Sequence, residues 1–414
     1  MKTLLLPFAA AVACAQDGII LGPADGTFQI DIRPSLEAVL WSGDTPAPAL
    51  LGYEDNAFLA PRFSLDVDAA AGDHLTFHST TRWDRGFDAG SAPDGELRID
   101  EAFLRWRVSE DQALNFQVGK YASFFGSWSG QQDFFDDPFL LAPLPYSQLI
   151  GVSPTSPGNP LNTGGPGGGP GGPGGPGGPG GPGGPGGPGA GALPLSLLPK
   201  DQWASMIWGA GYGIGGGVFG STEHFDYALE VKNSALSSHP DAWQEINFSH
   251  PTVTARVGYR PDATWAFGLS ASRGSWPEVN AVGVDRDDLL QNSLGLDVRW
   301  ARHDWIVSGE VVLTEFETAS SGDLQAASWF VQARYKVSPG VWLAARVGQL
   351  LANEAVGPGG AAFAWQSDVW RAEIGGGWRI RPNVLVKAGY TYTHTEDDPV
   401  AGEHLWGTGI GWRF

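Results

Sequence analysis

Apolar and polar residues alternate with a period of two through most of this 414-residue chain. That is the pattern of a strand whose two faces meet different surroundings. ALNFQVGKY (113–121) sets Leu114, Phe116 and Val118 against Asn115, Gln117 and Gly119. PTVTARVGYR (251–260) sets Val253, Ala255, Val257 and Tyr259 against Thr254, Arg256, Gly258 and Arg260. ASWFVQARYKV (327–337) and NVLVKAGYTYT (383–393) behave alike, and no comparable helical stretch occurs. The pattern predicts about sixteen strands, starting near Thr27, Pro61, His74, Glu96, Ala113, Gln202, Phe225, Pro251, Ala263, Gln291, Asp304, Gln325, Gly340, Asp368, Asn383 and Glu403. Each runs about nine to thirteen residues, the length a tilted strand needs to cross a bilayer. The first contains Pro34, which cannot donate a ladder hydrogen bond.

The connections alternate in length. AAGD, SEDQ, RPDA, ARHD, SPG and RPN are tight turns, whereas 42–60, 85–95, 122–201, 234–250, 274–290, 317–324, 350–367 and 394–402 are long. The link around 212–224 is longer than this alternation predicts. Short turns on one rim and long loops on the other are how outer-membrane barrels are built. An even strand number also leaves both chain ends on the short-turn rim.

Alternation alone does not separate a soluble sandwich from a membrane barrel; the contents of the polar face do. That face carries Arg105, Arg107, Lys232, Arg256, Arg299, Arg334, Arg346, Arg371, Arg379 and Lys387, with Glu101, Glu230, Asp297, Glu310 and Glu373. A face so charged requires water, so the other requires an apolar partner. Sixteen strands make a barrel too wide for side chains to fill; the interior is then an aqueous channel and the exterior meets lipid. Trp83, Trp106, Tyr259, Trp265, Trp300, Trp305, Tyr335, Trp370, Trp378, Tyr392, Trp406 and Trp412 share the apolar parity, mostly toward strand ends, where amphipathic rings suit the headgroup level. The expected fold is all-β: a transmembrane antiparallel β-barrel of about 16 strands with a long third loop.

Composition fits export to an outer membrane. MKTLLLPFAAAVACA (1–15) has a basic start, an apolar centre and an Ala13-Cys14-Ala15 cleavage site, the pattern of a signal peptide. The barrel then spans 16–414 and has no cysteine. The formal net charge of −20 argues against nucleic-acid binding. No stretch approaches 18 apolar residues, so no transmembrane helix is expected. The chain has no phosphate loop and no zinc spacing; its eight histidines are scattered. His78 and Ser79 are adjacent on a strand and so face opposite sides. The reading is a non-enzyme without a cofactor. Asp285–Asp288 and Glu396–Asp398 are acidic loop clusters, most simply solvated; bridging by Ca²⁺ or Mg²⁺ to lipopolysaccharide phosphates or neighbouring loops is the alternative.

The C-terminal HLWGTGIGWRF places Trp406, Thr408, Ile410, Trp412 and Phe414 in phase. It resembles the insertion signal of bacterial outer-membrane barrels, which implies recognition by the barrel-assembly machinery. Taken whole, the mature chain resembles a bacterial porin. LRWRVSEDQALNFQVGKYASFFG (104–126) is similar to the strand–turn–strand before the constriction loop of trimeric porins, including the phosphate-selective type, with Gly119-Lys120 at the Gly-basic position. The resemblance implies a water-filled diffusion channel for small hydrophilic solutes or ions, a homotrimer, and contacts with outer-membrane lipid and lipopolysaccharide. It also implies that the third long loop folds back into the barrel.

Here that loop is 122–201 and contains the Gly/Pro run 164–191. Asp133, Asp136 and Asp137 are the candidate constriction-loop acids. The candidate pore wall is Arg82, Arg105, Arg107, Arg256, Arg299, Arg334, Arg346 and Arg371. By parity about sixteen Lys/Arg and about nine Asp/Glu point inward, an excess that would favour anions. The Gly/Pro run has almost no side chains to build a core. It reads as a solvated extension, with a polyproline-like strand or, in a trimer, a triple helix as alternatives. Two other functions stay open: a non-conducting surface barrel with an adhesion or envelope-structural role, and a soluble secreted binding protein.

Overall fold

The alternating segments pair in sequence order and close on themselves. The computed structural model describes residues 13–15, 18–23, 27–43, 57–84, 95–131, 133–152, 204–238, 248–277, 289–319, 322–356, 360–396 and 403–414. Most of the expected signal peptide (1–12), the Gly/Pro run 164–191 and the acidic stretches 285–288 and 397–398 lie outside them. Sixteen antiparallel strands form the barrel. In chain order they are β1 (Phe28–Gly43), β2 (Ala57–Ala71), β3 (Leu75–Asp84), β4 (Glu96–Arg107), β5 (Asn115–Tyr121), β6 (Gly213–Ser221), β7 (Phe225–Lys232) and β8 (Thr252–Tyr259). They continue with β9 (Trp265–Ser275), β10 (Leu290–Arg302), β11 (Trp305–Phe316), β12 (Leu324–Ser338), β13 (Val341–Ala352), β14 (Val369–Arg381), β15 (Val384–Thr395) and β16 (Glu403–Arg413). β16 pairs with β1 from Leu405↔Gly43 to Arg413↔Ser35, which closes the wall.

Pro34 sits inside β1 because of where the seam ends. Its carbonyl accepts the Phe414 N–H at 2.9 Å, and pairing with β16 stops one residue away at Ser35. The missing proline N–H therefore costs no ladder bond. Past that point Gly18–Leu21 pairs with the same edge of β1, Ile19 opposite Ile32.

The sixth strand begins at Gly213, not near Gln202. Its seven ladder partners on β5 run from Gly213↔Tyr121 to Phe219↔Asn115. The link to β7 is then the tight turn 222–224, and the anomaly at 212–224 disappears. Residues 204–212 belong to the loop instead; glycine-rich GYGIGGGV hides the start of β6 from a pattern read on apolar side chains.

Large apolar side chains stand exposed all round the outside, Ile374 at 61% and Trp406 at 58% among them. Aromatic pairs ring both ends: Trp305–Tyr335 (4.7 Å) and Trp412–Phe414 (4.4 Å) near the short turns, Trp370–Tyr392 (5.1 Å) and Tyr390–Trp406 (4.4 Å) near the long loops. An apolar band between two aromatic girdles is the exterior of a bilayer-spanning barrel. The chain is an outer-membrane β-barrel. Trp406, Ile410, Trp412 and Phe414 all lie on this outer face.

The inside departs from the expected wet, polar wall. Val312, Phe316, Leu324, Phe330 and Leu350 point inward and are buried against Phe125, Trp128, Leu144, Ile150 and Met206 of the third loop. A second cluster joins Val39, Trp41 and Leu385 to Phe134, Phe135 and Leu141. Part of the inner face is therefore apolar, because there it covers the loop and not water.

Candidate functional site

The third loop leaves β5 at Ala122 and runs inside the barrel. Its path is fixed by charged wall residues that bond the loop backbone. On β7, Glu230 accepts the Ser123 hydroxyl at 2.5 Å, and on β9 the Ser270 hydroxyl accepts the Gly126 N–H at 3.1 Å. Glu310 on β11 takes the Ser127 N–H (3.0 Å), the Ser127 hydroxyl (3.2 Å), the Trp128 N–H (3.4 Å) and the Tyr146 phenol. Gly126 adopts φ +72°, and a Cβ there would lie 2.4 Å from both the Glu310 carboxylate and the Tyr146 oxygen. Only glycine lets the backbone come so near the wall.

The loop then crosses to β16. Asp133 pairs with Arg413. Phe134 and Leu140 pack on the inward glycines Gly407, Gly409 and Gly411, whose missing Cβ atoms leave room for the rings. On β15, Lys387 donates to the carbonyls of Asp137 (2.6 Å) and Phe139 (3.1 Å). On β13, Arg346 donates to the Leu141 carbonyl and is paired with Glu373. On β14, Arg371 donates to the Ser147 hydroxyl (3.1 Å) and the Gln148 side chain (3.4 Å). The short helix Leu144–Ser147 brings Tyr146 back to Glu310. Loop residues Leu149–Ile150 pair with Ala204–Ser205. Burial pushes the Asp137 carboxyl above its usual range; it lifts the Tyr146 phenol well above its own, with the Glu310 charge adding to the rise.

With the loop on that side, the short-turn half of the wall of β1–β8 faces open space. A cavity of about 1010 Å³ lies there, bounded by the loop residues 122–130. Toward the long-loop rim the same wall carries a buried row of alternating charge. Arg62 sits 3.3 Å from Glu37 and 3.5 Å from Asp84; Arg82 sits 2.8 Å from Asp84 and 3.0 Å from Asp100; Arg98 sits 2.6 Å from Asp100. A like-charged row on neighbouring strands is held only by such interleaved carboxylates.

The candidate residues divide accordingly. Arg82 belongs to the ion-paired row, and Arg105, Arg107 and Arg256 line the cavity. Arg256 is tied to Asp297 at 2.5 and 2.9 Å. Arg299 is exposed toward the lumen, and Arg334 lies 5.9 Å from the Trp342 ring. Arg346 and Arg371 are 4% and 1% exposed and hold the loop. Asp136 is exposed, Asp133 is paired, and Asp137 is buried, accepting the Trp128 indole N–H at 3.1 Å. The residues the sequence reading leaves out are Arg62, Arg98, Glu37 and Asp100 in the row; Glu310 and Lys387 stand on the expected polar face, but nothing in the pattern marks them as clamps. The signal for the row is the inward position of Arg62, Arg82 and Arg98 on three consecutive strands.

OmpT, an outer membrane protein of Vibrio cholerae, superposes with a TM-score of 0.55 at 12% identity over 95% of this chain and 99% of its own. The outer membrane channel DcaP of Acinetobacter baumannii gives 0.54 at 10%, over 95% and 99%. OmpF of Salmonella typhi gives 0.51 at 10%, over 95% and 99%. The fold is that of the outer-membrane porins. No protein-family description and no curated sequence matches the chain. Identities this low carry the fold and leave solute and selectivity to the lumen residues.

Proposed function

We propose that this barrel is a water-filled diffusion channel for small hydrophilic solutes, with a weak anion preference. The observation that carries the reading is the one-sided docking of the loop. Clamps on β11, β14 and β15 hold most of it against that part of the wall, and a polar cavity remains along the short-turn half of β1–β8. A plug held for structural reasons alone would have no need of a charged, open wall opposite it.

The lining argues for weak selectivity. Four arginines (Arg105, Arg107, Arg256, Arg260) meet four carboxylates (Asp31, Asp68, Glu101, Asp226). Arg256 is neutralised by Asp297, and Arg260 lies 3.6 Å from Asp226. Arg105 and Arg107 then face Asp31, Asp68 and Glu101, of which Asp31 and Asp68 are paired with Arg33. The inward excess of base expected from parity is thus spent largely on ion pairs and on loop clamps. OmpT of Vibrio cholerae has been solved in a trimer form, and we extend the proposal to a homotrimer here, which chemical cross-linking in detergent reads directly.

Planar-bilayer recording in a KCl gradient tests the channel. Stepwise conductance with a small reversal potential toward the chloride side is the expected result. A reversal toward potassium would keep the channel and reject the anion preference. Silence from a heat-modifiable, folded barrel would reject the channel in favour of an adhesive or envelope-structural barrel. Arg105→Gln with Arg107→Gln is expected to move the reversal potential to zero or to the potassium side without abolishing conductance.

A further inference from the structure

We propose that the lumen cavity holds a binding site for a small aromatic monocarboxylate, built on β4. This rests on the channel reading and names a solute class for it. Along the inward face of β4 the residues are Glu101, Phe103, Arg105 and Arg107, all lining the cavity. Arg105 lies between two rings, its guanidinium carbon 5.3 Å from the Phe103 centroid and 5.0 Å from the Phe219 centroid. Its Nε and Nη2 both donate to the Gln117 side-chain oxygen, at 3.0 and 2.8 Å. The guanidinium is therefore flanked by two rings and held along one edge.

A guanidinium has five N–H donors, and this one uses two. The remaining three sit on Nη1 and Nη2, the edge that takes a carboxylate end-on with two parallel bonds. Among the described residues no carboxylate lies within ion-pairing distance of Arg105, unlike Arg82, Arg256 and Arg346. Arg107 follows on the same face, roughly 6.6 Å along the strand, and adds a second positive charge.

The rings continue beyond Arg105. Phe103 meets Tyr121 at 6.1 Å, Tyr121 meets Phe124 at 5.6 Å, and Phe124 meets Phe219 at 5.3 Å. Phe124 and Phe219 are half-buried and line the cavity. Ring surface facing water in a passage is unfavourable unless a solute covers it, and a flat apolar body covers it best. Glu101 stands on the other side of Phe103, held by the Ala122 N–H at 2.9 Å. It disfavours a second carboxylate there. The ligand is thereby oriented, with its carboxylate toward Arg105 and Arg107 and its ring over the half-buried Phe124 and Phe219.

Titration calorimetry of the folded, detergent-solubilised barrel with benzoate tests the site, with acetate and benzyl alcohol as single-group probes. Benzoate is expected to bind, and acetate and benzyl alcohol to give no saturable heat over the same range. Arg105→Gln is expected to weaken benzoate by roughly tenfold or more, the loss of a bidentate charge-assisted pair, and Phe219→Leu to weaken it several-fold. Equal heats from benzoate and acetate would overturn the proposal, as would wild-type benzoate affinity in both variants. Should Arg105→Gln lose heat-modifiable folding, Phe219→Leu and Arg107→Gln carry the same comparison. The bilayer recording separates the two readings. Benzoate binding without conductance rejects the channel and keeps the site; conductance with no benzoate-specific binding keeps the channel and rejects the site.

Discussion

Glu310→Ala is expected to free the third loop from the wall and to raise single-channel conductance while making it noisy. Glu310 is 2% exposed and accepts hydrogen bonds from Ser127, Trp128 and Tyr146, two points of the loop that are nineteen residues apart in sequence. Alanine removes the acceptor and leaves the Tyr146 hydroxyl and the backbone donors to find water. Bonds to a charged group contribute about 1.5–3 kcal/mol each and do not simply add, so the docked loop loses on the order of 3–6 kcal/mol. That corresponds to a factor of more than about 100 in the ratio of docked to released loop. The barrel ladder is untouched, so heat-modifiable folding persists while limited proteolysis cuts the loop between 123 and 150. Unchanged conductance and proteolysis would mean that the apolar packing holds the loop without this clamp. Glu310→Gln keeps an acceptor of the same shape and is expected to lie between wild type and alanine.

The second large effect belongs to the glycine face of β16. Gly411→Leu is expected to expel the Phe134–Leu140 segment and widen the lumen on the opposite side of the loop. A Cβ at Gly411 would already lie 2.6 and 2.8 Å from carbons of the Phe134 ring and 3.1 Å from Phe135. Overpacking of this kind costs about 1–3 kcal/mol, and the loop yields before the closed ladder between β16 and β1. Thr408→Leu is the control, since Thr408 is exposed on the outer face of the same strand. Conductance and loop proteolysis are expected to rise in Gly411→Leu and to stay at wild type in Thr408→Leu. Equal behaviour of the two would show that the inward glycines are not the loop's seat. Because Glu310 and Gly411 act on separate contacts, the double variant is expected to add the two losses.

What the sequence determined by itself is the wall. A period of two fixes which side chains share a face, and charge on one face with apolar bulk on the other favours a closed barrel in lipid over a soluble β protein. Strand number, loop alternation, the outward aromatics and the outward Trp406-Ile410-Trp412-Phe414 row all follow from that local rule. The start of β6 escaped it because GYGIGGGV offers almost no side chains whose alternation could be read. What only the tertiary structure decided is the fate of each inward charge. Parity places Arg105, Arg346 and Arg371 alike. Yet Arg105 faces open space, whereas Arg346 and Arg371 are sealed beneath the loop. The difference comes from contacts between residues some 200 positions apart, such as Arg371 with Ser147. Inward Val312 and Phe330 likewise contradict a wet lumen until the loop's aromatic segment is seen against them. Period-two patterning reports the environment of a face averaged along a strand. Which part of that face meets water and which meets folded chain is set by where one long loop comes to rest, and no local pattern encodes that.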